Sequence, residues 1–320
     1  MSLKAWSQIM TIVLIMVMFA LVDVYAEKGI LFPEISALAL GFWVMAKPPW
    51  TGSQFAIWAS PTLAALTGVL LLRYTSFSLF FLIGIAFVLV ALQLKLLRSA
   101  IFPSISAAIL PILTHTTDWL YPLSVSILMA MIVFGRFFLG KFSQKENSAD
   151  SLVKDDCHKI SQAFLPEFFY WGKLLAGVLT VTALALRFQC LFMIAPPLIV
   201  AFVELSRAEQ TLRQSPFKIL FLLALAACSG SLWLYLVSTI FQGPLWAFSG
   251  LALLSVFVLY KVLQVSFPPA AAISLLPVLV PASNFWEYPL HILLGSSLFI
   301  LIGKFYFMEV EPKPTLIVEN

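Results

Sequence analysis

The chain is built from long apolar runs separated by short polar or turn-forming stretches. Runs near 7–25, 30–46, 54–72, 76–95, 101–114 and 120–140, then 168–187, 190–206, 215–238, 244–263, 268–281 and 288–306, predict twelve membrane helices. A helix needs about 20 apolar residues to cross a bilayer core. Barrel strands would require alternating polarity, and these runs are continuous. Helices also pair their own backbone groups, which lipid cannot do for them. The expected fold class is therefore an all-α polytopic membrane protein. One long polar run, KFSQKENSADSLVKDDCHK (141–159), divides it. This gives a first membrane unit over 1–140, a cytoplasmic linker over 141–165, a second unit over 166–308 and a cytoplasmic tail over 309–320.

The two units resemble each other. LKLLRSAIFPSISAAILPIL (94–113) lies over YKVLQVSFPPAAAISLLPVL (260–279), pairing Lys95 with Lys261, Pro103 with Pro269 and Pro111 with Pro277. Tyr121-Pro122 then matches Tyr288-Pro289, and SQFAIWASPTLAALTG (53–68) lies over SPFKILFLLALAACSG (215–230), pairing Gly68 with Gly230. A tandem repeat of six helices is expected. Six is even, so both repeats enter with the same orientation and the pseudo-two-fold axis runs along the membrane normal.

Composition adds the solvent and the sidedness. With 61% hydrophobic and 11% charged residues and a net charge of +4, the chain exceeds what one aqueous core can hide. If all twelve runs cross and the amino terminus is cytoplasmic, only Lys28, Arg73 and Arg187 of the 19 Lys and Arg lie outside. That matches the positive-inside pattern, with both termini cytoplasmic in the cell membrane. A re-entrant 101–114 would carry Lys141, Lys145, Lys154 and Lys159 outside, so the charges argue for crossing. The first run, ending near VDVYA, also resembles a signal peptide, but its counterpart in the second unit favours a retained helix. Trp6, Trp50, Trp119, Trp171 and Trp286 fall at predicted span ends, as an interfacial belt would place them.

The runs 101–114 and 268–281 are short, and proline suits the first turn of a helix because that N–H lacks an intrahelical partner. The starts of these helices, with free N–H groups and nearby cations, form the candidate anion site. Its residues are Lys95, Arg98, Pro103, Ser104 and Ser106 in one unit and Lys261, Pro268, Pro269, Ala270 and Ser274 in the other. The plainer reading is that small residues pack helices and prolines kink them. Glu34 and Glu204 are ionisable groups within apolar helices and thus candidates for proton coupling. Their plainer roles are an N-terminal dipole partner for Glu34 and pairing with Arg207 or Arg213 for Glu204. His115 and Asp118 read as a solvated loop, and His291 as a hydrogen-bonding residue between helices. Cys157, Cys190 and Cys228 lack metal-ligand spacing. No cofactor or metal, no nucleic-acid partner and no catalytic set is expected. The partners expected are lipid and a small anionic solute, with homo-oligomerisation left open.

The segment 48–140, and more faintly 213–306, resembles the HPP family of integral membrane proteins. The shared pattern is a polar Pro-bearing loop, a helix with small residues before Gly, a further helix, then Pro-Pro-Ala opening an apolar helix. The histidine that names the family is replaced by Phe267 in the second unit, and the first reads Ile101-Phe102-Pro103, so no role carries over for it. A weaker likeness, on KPPWTGS (47–53), is to fusaric-acid-resistance-type exporters. The family resemblance implies a transporter, and nitrite transport is associated with some HPP members. The functional expectation is a secondary transporter or channel for a small anion. The alternative is a non-transporting scaffold or regulatory subunit of another membrane complex.

Overall fold

Proline and serine punctuation sets the helix starts. Ser53 accepts the Ala56 N–H at 3.1 Å and opens a long helix, while Pro103, Pro216 and Pro269 each occupy a first helical turn. The computed structural model describes residues 3–142, 164–207, 215–280 and 285–307. The linker and the tail fall almost wholly outside them, as do Cys157 and Arg213. Among the described residues the first half contains α1 (Leu3–Tyr25), α2 (Glu34–Ala39), α3 (Gln54–Tyr74), α4 (Leu79–Leu96), α5 (Pro103–Thr114) and α6 (Leu120–Phe142). The second contains α7 (Phe164–Arg187), α8 (Pro196–Arg207), α9 (Pro216–Tyr235), α10 (Leu245–Leu263), α11 (Pro269–Leu275) and α12 (Tyr288–Phe307). A π-turn over Leu40–Val44 prolongs α2, another over Leu236–Ile240 prolongs α9, and a 3-10 turn over Leu276–Leu279 prolongs α11.

Each expected run contains a helix among the described residues, but not every one has the length of a span. Among the described residues eight helices, α1, α3, α4, α6, α7, α9, α10 and α12, are long and apolar enough to cross a bilayer, not twelve. Their outer faces expose Phe81, Val88, Phe134, Phe221, Val258 and Leu301, side chains that lipid accepts and water would not. The chain is an α-helical, multi-pass membrane protein.

The other four are short and lie inside. Residues Glu34–Ala39 of α2, Pro103–Ile112 of α5, Pro196–Val203 of α8 and all of α11 are buried. Helix α2 packs on α5 and α11, and α8 packs on the same two, so these four close a ring. The long helices surround it: α3 backs α5 and α6, α9 backs α11 and α12, α1 lies on α10, and α4 lies on α7. Twelve residues of α5 reach only about 18 Å at about 1.5 Å each, which the surrounding long helices make tolerable.

Two close approaches and two hydrogen bonds fix the ring. A Cβ on Gly68 of α3 would overlap the Ala108 carbonyl oxygen of α5, and one on Gly230 of α9 would overlap the Ser274 carbonyl oxygen of α11. Glycine is what lets the backbones approach. Pro111 has no N–H for the Ala107 carbonyl one turn back, and the Tyr121 hydroxyl donates to that oxygen instead, at 2.9 Å. Pro277 likewise frees the Ile273 carbonyl, which receives the Tyr288 hydroxyl at 2.7 Å. Each proline thus opens a backbone acceptor that a buried tyrosine fills.

Candidate functional site

The ends of the central helices differ sharply. Where α5 and α11 begin, the ring is packed tight: Ile101, Phe102 and Phe267, the residues leading into these helices, are buried. Where they end, a cleft of about 540 Å³ opens. Leu110 and Leu113 of α5, Leu276 and Leu279 of the α11 extension, Leu31 before α2 and Pro196 of α8 form its apolar wall. Lys28, Thr114, His115, Thr116, Tyr121, Gln189 and His291 supply the polar groups. An apolar cleft with a few convergent polar groups is the usual form of a small-molecule site.

Local structure positions the polar groups. Lys28 sits on a single 3-10 turn after α1, and its ammonium donates to the Val278 carbonyl at 3.2 Å, tying the first half to the end of α11. His115 ends α5 in the left-handed conformation, φ 53°, so the chain turns at the rim; it is exposed and part of the cleft rather than only a solvated loop. Asp118, instead of joining His115, accepts the Leu120 N–H at 3.0 Å where α6 begins. His291 is buried and stacks on Phe192 with ring centroids 6.5 Å apart. Its Nε2 lies 4.0 Å from Glu287, just before the start of its own helix, and among the described residues its Nδ1 has no partner, so no hydrogen bond to another helix is made there. No group of three metal-ligating side chains occurs among the described residues.

The candidate anion residues lie away from this cleft. Pro103, Ser104, Ser106, Pro268, Pro269, Ala270 and Ser274 are buried within α5 and α11 or at their starts, and Lys95, Arg98 and Lys261 are exposed at the same end. None of the ten lines the cleft. Desolvating a cation is costly, so these stay at the surface while aromatic and branched side chains close the ring beneath them.

Glu204 bridges the two halves, whereas Glu34 joins two helices of the first half. Glu204 of α8 accepts the Trp50 indole N–H at 2.9 Å rather than pairing with Arg207. Arg207 lies over three rings, those of Phe102 at 5.0 Å, Tyr170 at 4.9 Å and Trp171 at 5.5 Å. Trp50 is buried, not a belt residue, and rests where Gly41 leaves room, with Phe42 at 5.7 Å. Trp50 therefore pins α2's end to α8 at the sealed end. Trp50→Phe keeps the ring on Gly41 but leaves Glu204 without its donor. We expect a stability loss of about 1–3 kcal/mol, read from unfolding of the detergent-solubilised protein. Glu34 opens α2, as an N-terminal carboxyl would, and is fully buried with Oε1 hydrogen-bonded to the Ser106 hydroxyl.

What the sequence did not show is the place of Lys28, Tyr121 and His291 on the cleft and the bond of Trp50 to Glu204. For Tyr121 a signal was present: the repeated pairing of Pro111 with Tyr121 and of Pro277 with Tyr288. No family model matches the chain, and no curated protein or solved structure matches it either.

Proposed function

We propose that the protein is a secondary transporter for a small anion, with the cleft as its solute site. The carrying observation is a cleft bounded by elements of both halves at one end of a buried ring whose other end is packed shut. Such an arrangement suits alternating access, in which one group of helices rocks against another. Two parallel six-helix repeats resembling HPP units are the architecture we infer. Its support is the recurrence of Gly68 on α5 and Gly230 on α11, and of the Tyr121 and Tyr288 bonds at matching positions. Crossing of the four short helices, and a cell-membrane location with cytoplasmic termini, belong to the same reading. The cleft then faces outside, because Lys28 is among its few outer cations.

The anion class rests on the lining. Lys28, His115 and His291 converge on the cleft, and no carboxylate is among the described residues lining it. The apolar walls favour an anion with a hydrophobic body. Thermal unfolding in detergent, against nitrite, nitrate, formate, acetate, benzoate and benzenesulfonate with chloride controls, tests this. A saturable rise in Tm is expected for at least one anion, with about a tenfold loss of apparent affinity in Lys28→Ala, or about 1.4 kcal/mol. Lys95→Ala and Lys261→Ala should leave that affinity unchanged. No shift with any anion would remove the transport reading and favour the scaffold.

A further inference from the structure

Glu34 lies just beneath the cleft. Leu31, which lines the cleft, precedes it by one turn's worth of chain, and Ser106, its hydrogen-bond partner, is one turn deeper in α5 than the lining residue Leu110. Glu34 is 1% exposed, and among the described residues its Oε2 has no hydrogen-bond partner. No ion pair is made by it among the described residues. The element packing brings α2 against α5 of its own half and α11 of the other, so this carboxyl sits at the junction of the two halves.

The groups around it are accounted for. Tyr121 of α6 and Tyr288 of α12 lie within electrostatic range, but their hydroxyls donate to Ala107 and Ile273. Helix α11 carries no ionisable residue, and Arg136 of α6 lies over the Phe42 ring, at the far end of the α2 segment. The ionisable residues of α1, Lys4, Asp23 and Tyr25, are at its ends. A metal cation would need several oxygen ligands; here one hydroxyl contacts the carboxyl, and the two carbonyls freed by proline are occupied. A proton needs only the unpartnered oxygen, and its arrival removes a charge that lipid-embedded protein stabilises poorly.

We propose that Glu34 is a proton-binding site coupled to the cleft, so that solute anion and proton move together. This rests on the transport reading above. The proton passes from cleft water to Oε2, converting carboxylate to acid, and leaves from the same oxygen when the opposite end opens. No electrons are transferred. Glu204 does not share the role: it lies at the sealed end, away from the cleft, bonded to Trp50, and Oε2 of Glu34 is the carboxylate oxygen left buried and unpartnered among the described residues.

Infrared spectra of the full chain in liposomes, recorded across pH, test the site directly. A titrating C=O component of a buried carboxyl, at higher frequency than that of the exposed acids, is expected. It should be lost in Glu34→Gln, kept in Glu204→Gln, and shifted in frequency without being lost in Ser106→Ala. A band unchanged in Glu34→Gln, the lack of any such titrating component, or its displacement by sodium at fixed pH would overturn the proposal. Coupling is read with benzenesulfonate, which stays charged. Glu34→Gln vesicles should keep counterflow but lose at least tenfold of the accumulation driven by an imposed pH gradient. Equal accumulation would overturn coupling. If the unaltered protein moves no benzenesulfonate, coupling falls together with transport, while the band alone still decides the proton site.

Discussion

Gly68→Ala and Gly230→Ala should each lower stability by about 2 kcal/mol, while Gly172→Ala should be neutral or slightly stabilising. An alanine in a helix gains about 1 kcal/mol over glycine in intrinsic propensity, and Gly172, with nothing within 4 Å of a Cβ, is free to realise that gain. At Gly68 the new methyl meets the Ala108 carbonyl oxygen and the Pro111 Cγ at 2.8 Å; at Gly230 it meets the Ser274 carbonyl oxygen. Backbone carbonyls cannot rotate aside as a flexible side chain can. Forced overpacking costs about 1–3 kcal/mol or more, which outweighs the propensity gain. Thermal unfolding of the three variants in one detergent measures the contrast. Equal behaviour of Gly68→Ala and Gly172→Ala would show that α3 does not seat on α5 this closely.

The second large effect concerns Tyr121 and Tyr288. Tyr121→Phe should cost about 1–3 kcal/mol, because the Ala107 carbonyl freed by Pro111 then stays buried without a donor. Tyr288→Phe should cost a similar amount through Ile273. The mechanism predicts a specific rescue. In Tyr121→Phe/Pro111→Ala, the restored N–H at 111 can donate to Ala107, so the double variant should be more stable than the sum of its single losses by about 0.5–3 kcal/mol. Strict additivity would mean that the tyrosine acts by ring packing alone.

Helix positions were readable because lipid imposes one rule throughout: apolar runs must be helical. The divided behaviour of these runs was less readable. Runs 30–46 and 190–206 look like ordinary spans by composition, yet α2 and α8 are short, buried pieces set inside long helices. A side chain that faces lipid and one that faces protein can both be leucine, so apolarity does not tell a lipid-facing helix from a central one. For the site, proline-led helix starts beside Lys95 and Lys261 drew attention to one end of the ring. The cleft lies at the other, where the chemistry is carried by residues scattered through turns, such as Lys28, His115 and Gln189. Their convergence depends on tertiary packing between helices far apart in sequence. Trp50 is a similar case, because nothing in KPPW distinguishes an interfacial tryptophan from one bonded to Glu204.

The packing of α1 on α10, and of α4 on α7, bears on how the protein is made. Helix α1 finds its main neighbour, α10, only after the sequence between them has been synthesised. Until then its inner face, with Ser7 and Thr11 buried in the finished protein, must wait against lipid or a provisional partner. A chain stopped at the linker would thus hold six helices but leave α1 without α10, and α4, seated on α3 and α5, without α7. Membrane insertion and final assembly are separate events here, and the second cannot finish until α7 and α10 have arrived.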